Sequence, residues 1–189
     1  MGDNMKKITS PITLEQLKDL RAGDIVYITG VIYTARDAAH KMLVKDIKEG
    51  NKLNIDLKNA SIYYVGPTPT IPGEVIGSAG PTTSYRMDPY AEILLKEGVK
   101  VMIGKGGRTK EFKELLEKYQ AVYISAIGGT GALIKKSITK SEVVMYEELD
   151  AEAIRRLEVV DFYGIVANDM YGNDAFEDGI QEFFKKGND

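Results

Sequence analysis

An alternation of short apolar runs and helical patterns over residues 99–134 constrains the fold of this chain most strongly. Residues 99–103 and 121–127 are apolar runs with the length of a buried strand. Between them, residues 109–119 have the spacing of an amphipathic helix, and residues 128–136 predict a glycine-rich turn into a further helix. Because strands that alternate with helices favour a parallel sheet covered by helices, we predict an α/β fold with one layered domain.

The first half of the chain predicts more strand and more irregular loop than the second. Residues 25–33 and 62–65 are rich in β-branched and aromatic side chains. Residues 66–80 contain four Gly and three Pro, so we predict a long ordered loop with some strand at residues 74–76. The remaining predictions are helices at residues 13–20, 35–47, 88–96 and 174–185, a helical turn at 151–156, and strands at 142–146 and 159–166.

Composition narrows the class of function. The 189 residues suit one domain over residues 1–189 with short flexible tails, and a net charge of −3 gives no broad basic surface for nucleic acid. With no Cys and a single His, this chain alone lacks the ligands of an iron–sulfur cluster or a His-rich metal site. No apolar run is long enough to span a membrane or to form a secretory signal, so we expect a cytoplasmic protein.

Four segments place Gly, Thr, Arg or Lys where strands and helices meet. The first is Thr34-Ala-Arg-Asp-Ala-Ala-His-Lys41, at the predicted start of a helix. Thr34 and Asp37 suit a capping box, and Asp37 with Lys41 suits an i,i+4 ion pair. Arg36 and His40 have no part in these interactions. Their spacing places both on one helical face near a positive helix terminus, so they are candidates for binding an anion.

The second segment, Gly80-Pro-Thr-Thr-Ser-Tyr-Arg-Met-Asp88, carries three adjacent hydroxyl groups and an arginine just before a predicted helix. Asp88 suits the N-cap of that helix. The hydroxyls of Thr82 and Thr83, the guanidinium of Arg86 and the backbone N–H groups of a helix start are together suited to a carboxylate or a phosphate.

The third and fourth segments are glycine-rich turns. Gly104-Lys-Gly-Gly107 adds the charge of Lys105 to a loop that lets backbone approach a ligand, and it resembles the G-x-x-G loop of KH RNA-binding modules. In this chain, however, it follows a predicted strand rather than a helix. Gly128-Gly-Thr-Gly-Ala-Leu133 resembles half of a dinucleotide-binding fingerprint but lacks a third Gly in register. A KH-like RNA-binding module and a nucleotide-dependent enzyme are therefore the alternatives from other classes.

Taken together, the four segments supply three cations, three hydroxyls and many backbone N–H groups, a set that suits a di- or tricarboxylate. They supply no strong base, thiol or metal-ligand set, so by their chemistry they form only half of an active site. In this order they resemble the β subunit, or C-terminal domain, of the class I iron–sulfur fumarate hydratases and L(+)-tartrate dehydratases. The resemblance runs from about residue 13 to residue 174.

The resemblance implies a swivelling β/β/α domain and a reversible hydration of fumarate to (S)-malate, with tartrate dehydration as the alternative. It also implies an α subunit that carries a four-iron four-sulfur cluster on three Cys, and a higher oligomer of αβ pairs. Arg36 and Arg86 match the family positions that bind substrate carboxylates, with His40 as a further candidate for substrate binding. Thr82 and Thr83 match the hydroxyl pair beside the substrate, one of which is the implied base at C3, and Lys105 matches the lysine of the same site.

Overall fold

The computed structural model describes residues 5–126 and 131–179 of the chain. The strands are β1 (Met5–Ser10), β2 (Ile25–Thr34), β3 (Ser61–Tyr63), β4 (Val101–Gly104), β5 (Val122–Ser125), β6 (Ile138–Met145) and β7 (Ile154–Asn168). The α-helices are α1 (Leu14–Lys18), α2 (Asp37–Glu49), α3 (Asp88–Lys96), α4 (Lys110–Tyr119) and α5 (Gly131–Ser137). Within the described ranges no helix combines the length and the apolar character that a membrane span requires.

The seven strands form one sheet in the order β1-β2-β3-β4-β5-β7-β6. Strands β1 to β5 run parallel to one another, whereas β6 and β7 are antiparallel to their neighbours. Strand β7 pairs with β5 and also with β2, so that β2, β3, β4, β5 and β7 close into a ring. The predicted α/β character is confirmed, and the strands of residues 99–134 are parallel as expected.

Alternate residues of the parallel strands face two separate parts of the core. Val101 and Ile103 point into the interior of the ring, where they join residues of β2 and β7. Met102, between them, packs on the other side with apolar residues of α2, α3 and α4. Helix α4 contributes the buried Phe112 and Leu116 to this layer, as its spacing predicts. The parallel strands therefore lie between an outer layer of helices and the antiparallel strands.

Several local predictions are wrong. Of the helical turn predicted at residues 151–156, residues 151–152 do end a 3₁₀-helix (Glu147–Glu152), but residues 154–156 begin β7, which β2 and β6 hold in extended form. Residues 74–76 form no strand, and strand β1 was not predicted from its residues. Strand is spread over both halves of the chain, and the longest strand, β7, lies in the second. Of the helix predicted at residues 174–185, residues 175–179 are helical and residues 180–185 lie outside the described part.

Candidate active site

The predicted site segments gather at one edge of the sheet. Arg36 follows β2, the loop at residues 64–83 follows β3, and Lys105 follows β4. Since these strands are parallel neighbours, their carboxyl ends lie side by side, and the segments that follow them meet at this edge. Strand β5, which is parallel to β4, ends at the same edge, and residues 128–130 of the fourth segment lie outside the described residues.

The structure brings Arg36 and Arg86 together on the carboxylate of Asp37. Oδ2 of Asp37 lies 3.1 Å from Nη2 of Arg86 and 3.7 Å from Nε of Arg36. About a third of the Arg36 side chain and two fifths of the Arg86 side chain are exposed to solvent. Nε of Arg36 is also 3.4 Å from a carboxylate oxygen of Glu152, without the geometry of a hydrogen bond. The two guanidinium groups thus already hold a carboxylate between them.

Arg36 reaches this position because the chain around it leaves room for its side chain. It has extended backbone, with φ −113° and ψ −163°, immediately before the first residue of α2. Its side chain lies against Gly66, where a Cβ atom would come within 2.9 Å of Cδ of Arg36 and 3.2 Å of the carbonyl oxygen of Ala151. A residue larger than glycine at position 66 would displace the guanidinium.

His40 lies beneath Arg36 and not at the surface that the two arginines share. Its side chain is fully buried, with its ring 5.3 Å from that of Tyr64 and 5.7 Å from that of Tyr90. Nδ1 donates to the carbonyl oxygen of Arg36 at 2.8 Å, one helical turn earlier, while Nε2 has no hydrogen-bond partner. Burial lowers the pKa of His40 to about 4, so the ring is neutral at pH 7. Direct contact of His40 with a substrate stays a prediction.

Thr82 and Thr83 lie on an extended segment wedged between the ends of β3 and β4. The N–H of Thr82 donates to the carbonyl oxygen of Tyr64 at 2.7 Å. The N–H of Lys105 donates to the carbonyl oxygen of Thr82 at 3.2 Å, and Thr83 pairs with Lys105 in a parallel bridge. Both threonines are partly exposed and Lys105 is exposed, and the ammonium group of Lys105 forms no ion pair with any described residue. The two hydroxyls and this cation therefore share one short stretch of the edge.

A buried arginine that the sequence did not single out supports this stretch from below. Nε of Arg108 lies 2.6 Å from Oδ1 of Asp88, and its guanidinium carbon lies 3.3 Å from the centre of the Phe112 ring. Nη2 of Arg108 also donates to the hydroxyl of Tyr64 at 3.3 Å. The only signal in the sequence was an arginine directly after the Gly104–Gly107 loop, one residue before the helix cap at Thr109.

Three local interactions predicted near the site are wrong for one physical reason: a distant partner replaces the local one. Thr34 does not cap α2, because its buried hydroxyl bonds to the backbone of Ala153, just before β7, and of Arg155 in β7. Asp37 pairs with the two arginines rather than with Lys41. Asp88 is the first residue of α3, not its N-cap, and its carboxylate accepts from Arg108 and from the N–H of Thr109.

The arrangement can bind a small acid with two negative groups. Two guanidinium groups share one carboxylate, a free ammonium group lies at the neighbouring strand end, and partly exposed hydroxyls lie beside it. The Gly104–Gly107 loop follows β4 and not a helix, which does not favour the KH-like alternative. Lys105 is exposed to solvent at this edge.

Comparisons with known proteins point to one family. The sequence profile of the Fumarase C-terminus family matches residues 3–179. A Methanocaldococcus jannaschii protein, provisionally named L(+)-tartrate dehydratase subunit beta, is 38% identical over 98% of each chain. The anaerobic class I fumarate hydratase of Escherichia coli is 38% identical over 87% of this chain and 30% of its own length. The mitochondrial fumarate hydratase 1 of Leishmania major is 35% identical over 88% of this chain and 31% of its own length. The chain thus spans about a third of the fumarate hydratases that it matches.

Proposed function

Because this chain belongs to the Fumarase C-terminus family, a family of hydro-lyases, we propose that it is the β subunit of a two-subunit iron–sulfur hydro-lyase. In this proposal the enzyme hydrates fumarate reversibly to (S)-malate, and the site is completed by an α subunit that matches the remaining length of the fused relatives. The chain would then be a single swivelling β/β/α domain over residues 1–189, in the cytoplasm, within a higher oligomer of αβ pairs.

The observation that carries the proposal is the pair of arginines on one carboxylate. Arg36 and Arg86 lie 3.7 and 3.1 Å from the same oxygen of Asp37, so one small acid can contact both guanidinium groups. Fumarate and malate each present two carboxylates a few bonds apart. A guanidinium holds a carboxylate with a defined orientation, which an ammonium group does not.

In this mechanism the residues of the chain bind the substrate and stabilise negative charge. Removing the C3 proton of malate leaves charge that spreads onto the adjacent carboxylate, and fixed positive groups at Arg36, Arg86 and Lys105 would lower the energy of that state. Thr82 or Thr83 would take the proton, a task for which a hydroxyl is a weak base unless nearby positive charge favours its alkoxide.

The iron–sulfur cluster belongs to the α subunit in this proposal. The chain contains no Cys, and across residues 5–126 and 131–179 no cluster of three or more His, Asp or Glu side chains could hold a metal ion. The residues of this chain therefore do not fit as ligands of such a cluster.

Tartrate dehydration is the second candidate reaction. It is favoured by the Methanocaldococcus jannaschii relative, since that protein matches this chain over 98% of both lengths whereas the fumarate hydratases are about three times longer. Tartrate is also a four-carbon dicarboxylate, so the arginine pair suits both substrates.

Reconstitution tests the proposal directly. The chain is co-expressed with its α subunit without oxygen, and hydration of fumarate is measured beside dehydration of tartrate. We expect activity with one of the two substrates from the complex and none from the isolated chain, which lacks cluster ligands. Activity of the purified chain alone would contradict the division of labour, and a cluster-loaded complex that is inactive with both substrates would contradict the proposed function.

The roles of Thr82, Thr83 and Lys105 are tested by combined substitutions. Each Thr→Ala change is made with and without Lys105→Ala, and proton–deuterium exchange at C3 of malate is followed in the complex. Because groups that act as one unit lose activity non-additively, the double variant of the true base should be scarcely worse than its worse single variant. For a threonine that only binds substrate, the two losses should add. If neither Thr→Ala change slows the exchange, the base is not a threonine of this chain.

A further inference from the structure

We propose that the hydroxyl of Tyr123 is a positioning group that fixes the segment of Thr82 and Thr83 relative to the loop of Lys105. Tyr123 lies in β5 and is fully buried. Its hydroxyl oxygen is 3.0 Å from Oγ of Ser84 and 2.8 Å from the carbonyl oxygen of Gly106. Ser84 directly follows Thr83, and Gly106 directly follows Lys105. The Tyr123 hydroxyl is therefore bonded both to the residue after Thr83 and to the residue after Lys105.

The direction of these two hydrogen bonds follows from the number of protons. The carbonyl oxygen of Gly106 can only accept, so the single proton of the Tyr123 hydroxyl is donated to it. Ser84 must then donate its own proton to the oxygen of Tyr123. Burial raises the pKa of Tyr123 to about 12, so the phenol keeps its proton at neutral pH. Loss of this O–H would leave both Ser84 and Gly106 without this partner.

The backbone of Lys105 bonds to Thr82 and Ser84, but the glycines that follow it have no side chains to hold the rest of the loop. Gly106 and Gly107 have no side chains to anchor it, both are exposed, and Gly106 has a φ of 80°, which favours glycine. The segment opposite is packed tightly, because a Cβ atom at Gly104 would lie 2.0 Å from Oγ of Ser84. The Tyr123 hydroxyl therefore connects Gly106 of this loop to the closely packed Ser84.

The ring of Tyr123 is held by contacts that do not involve its hydroxyl. Its centre lies 6.3 Å from that of Phe112 in an edge-to-face arrangement and 4.8 Å from the guanidinium carbon of Arg108. A Tyr123→Phe substitution therefore removes the two hydrogen bonds and leaves the packing in place. Tyr119→Phe is the matched control, since the hydroxyl of Tyr119 donates to Glu92 at 3.0 Å between α4 and α3, away from the site.

The catalytic consequence rests on the proposed function. If a threonine and Lys105 act together on the C3 proton, their separation decides how well the proton is transferred. Arg36 is on no segment that Tyr123 bonds, and the guanidinium of Arg86, which lies two residues after Ser84, is held separately by Asp37. The loss of the hydroxyl should therefore affect turnover more than substrate affinity.

The first measurement is amide hydrogen exchange in the full chain, which requires no activity. The N–H groups of Ser84 and Lys105 bond to carbonyl oxygens across the pairing that Tyr123 supports, at 3.0 and 3.2 Å. We expect both to exchange at least ~10-fold faster in Tyr123→Phe and at the wild-type rate in Tyr119→Phe. Unchanged exchange in Tyr123→Phe, or equal acceleration in both variants, would overturn the proposal.

The second measurement is steady-state kinetics of the reconstituted complex. We expect Tyr123→Phe to lower kcat by ~10–100-fold with KM changed by less than ~3-fold, and Tyr119→Phe to change neither. A wild-type kcat in Tyr123→Phe would overturn the catalytic part of the inference. Equal changes of kcat and KM in Tyr123→Phe and Tyr119→Phe would overturn it as well. If the wild-type complex has no activity, the proposed function fails, while the exchange experiment still decides whether Tyr123 fixes the two segments.

Discussion

The buried neutral state of His40 should make the stability of this chain depend on pH. Burial lowers the pKa of His40 from its ordinary value of 6.5 to about 4 in the folded chain. Below pH 6.5 the unfolded chain therefore binds a proton that the folded chain does not bind, and stability falls as pH falls toward 4. With these two values, the free energy of unfolding should drop by about 2 kcal/mol between pH 7 and pH 5.

The assay is urea unfolding at pH 7, 6 and 5, followed by circular dichroism. His40 is the single His of the chain, and most carboxylates titrate below this range, so the assignment is direct. At ~2 kcal/mol per molar urea, the midpoint should move down by about 1 M. In His40→Asn the amide can still donate to the carbonyl oxygen of Arg36 but does not titrate, so the loss between pH 7 and pH 5 should disappear. The same loss in both proteins would refute the argument.

Two further predictions concern the glycine loop and the arginine pair. Gly104→Ala should lower the free energy of unfolding by ~2–4 kcal/mol, because the added Cβ would displace the buried Ser84. In the control Gly107→Ala, the added Cβ has nothing within 4 Å, so the free energy of unfolding should change by less than ~1 kcal/mol. Equal effects of the two substitutions in urea unfolding would contradict this prediction. Arg36→Lys and Arg86→Lys should each keep the fold and lose ~2–4 kcal/mol of transition-state stabilisation in kcat/KM, because a point charge replaces a planar fork. Near-normal kcat/KM in either variant would show that its arginine does not bind a substrate carboxylate.

The elements that were predicted from sequence are those whose signals are local. The helix Asp88–Lys96 begins at an Asp-Pro pair and ends before Gly98, and the structure has the same bounds. Strand β1 has only two apolar residues in six, and it is a strand because all six residues pair with β2. The start of β7 has the composition of a helical turn, and pairing on both sides holds it extended. Such pairings are tertiary and leave no local pattern.

The same distinction applies to the site. The sequence predicted that Arg36 and Arg86 lie at the starts of helices and bind the same small acid. The structure brings both arginines to one carboxylate. The sequence did not predict that Asp37 would be that carboxylate, because an acid in the first turn of a helix already has a local explanation. Arg108 was not found because its role depends on burial against rings from three parts of the chain, and burial cannot be read from a single charged residue.

If Arg36 and Arg86 bind the substrate as proposed, the carboxylate of Asp37 that they share makes ligand binding an exchange of anions rather than an addition. The binding free energy of an incoming carboxylate is then only the difference between its own contacts with the guanidinium groups and the contacts that Asp37 loses. A monocarboxylate replaces the carboxylate of Asp37 by a single other carboxylate, whereas a dicarboxylate brings one carboxylate for each arginine. In the proposed site, Asp37 would therefore favour ligands with two negative groups, because it competes for the arginines with every incoming anion.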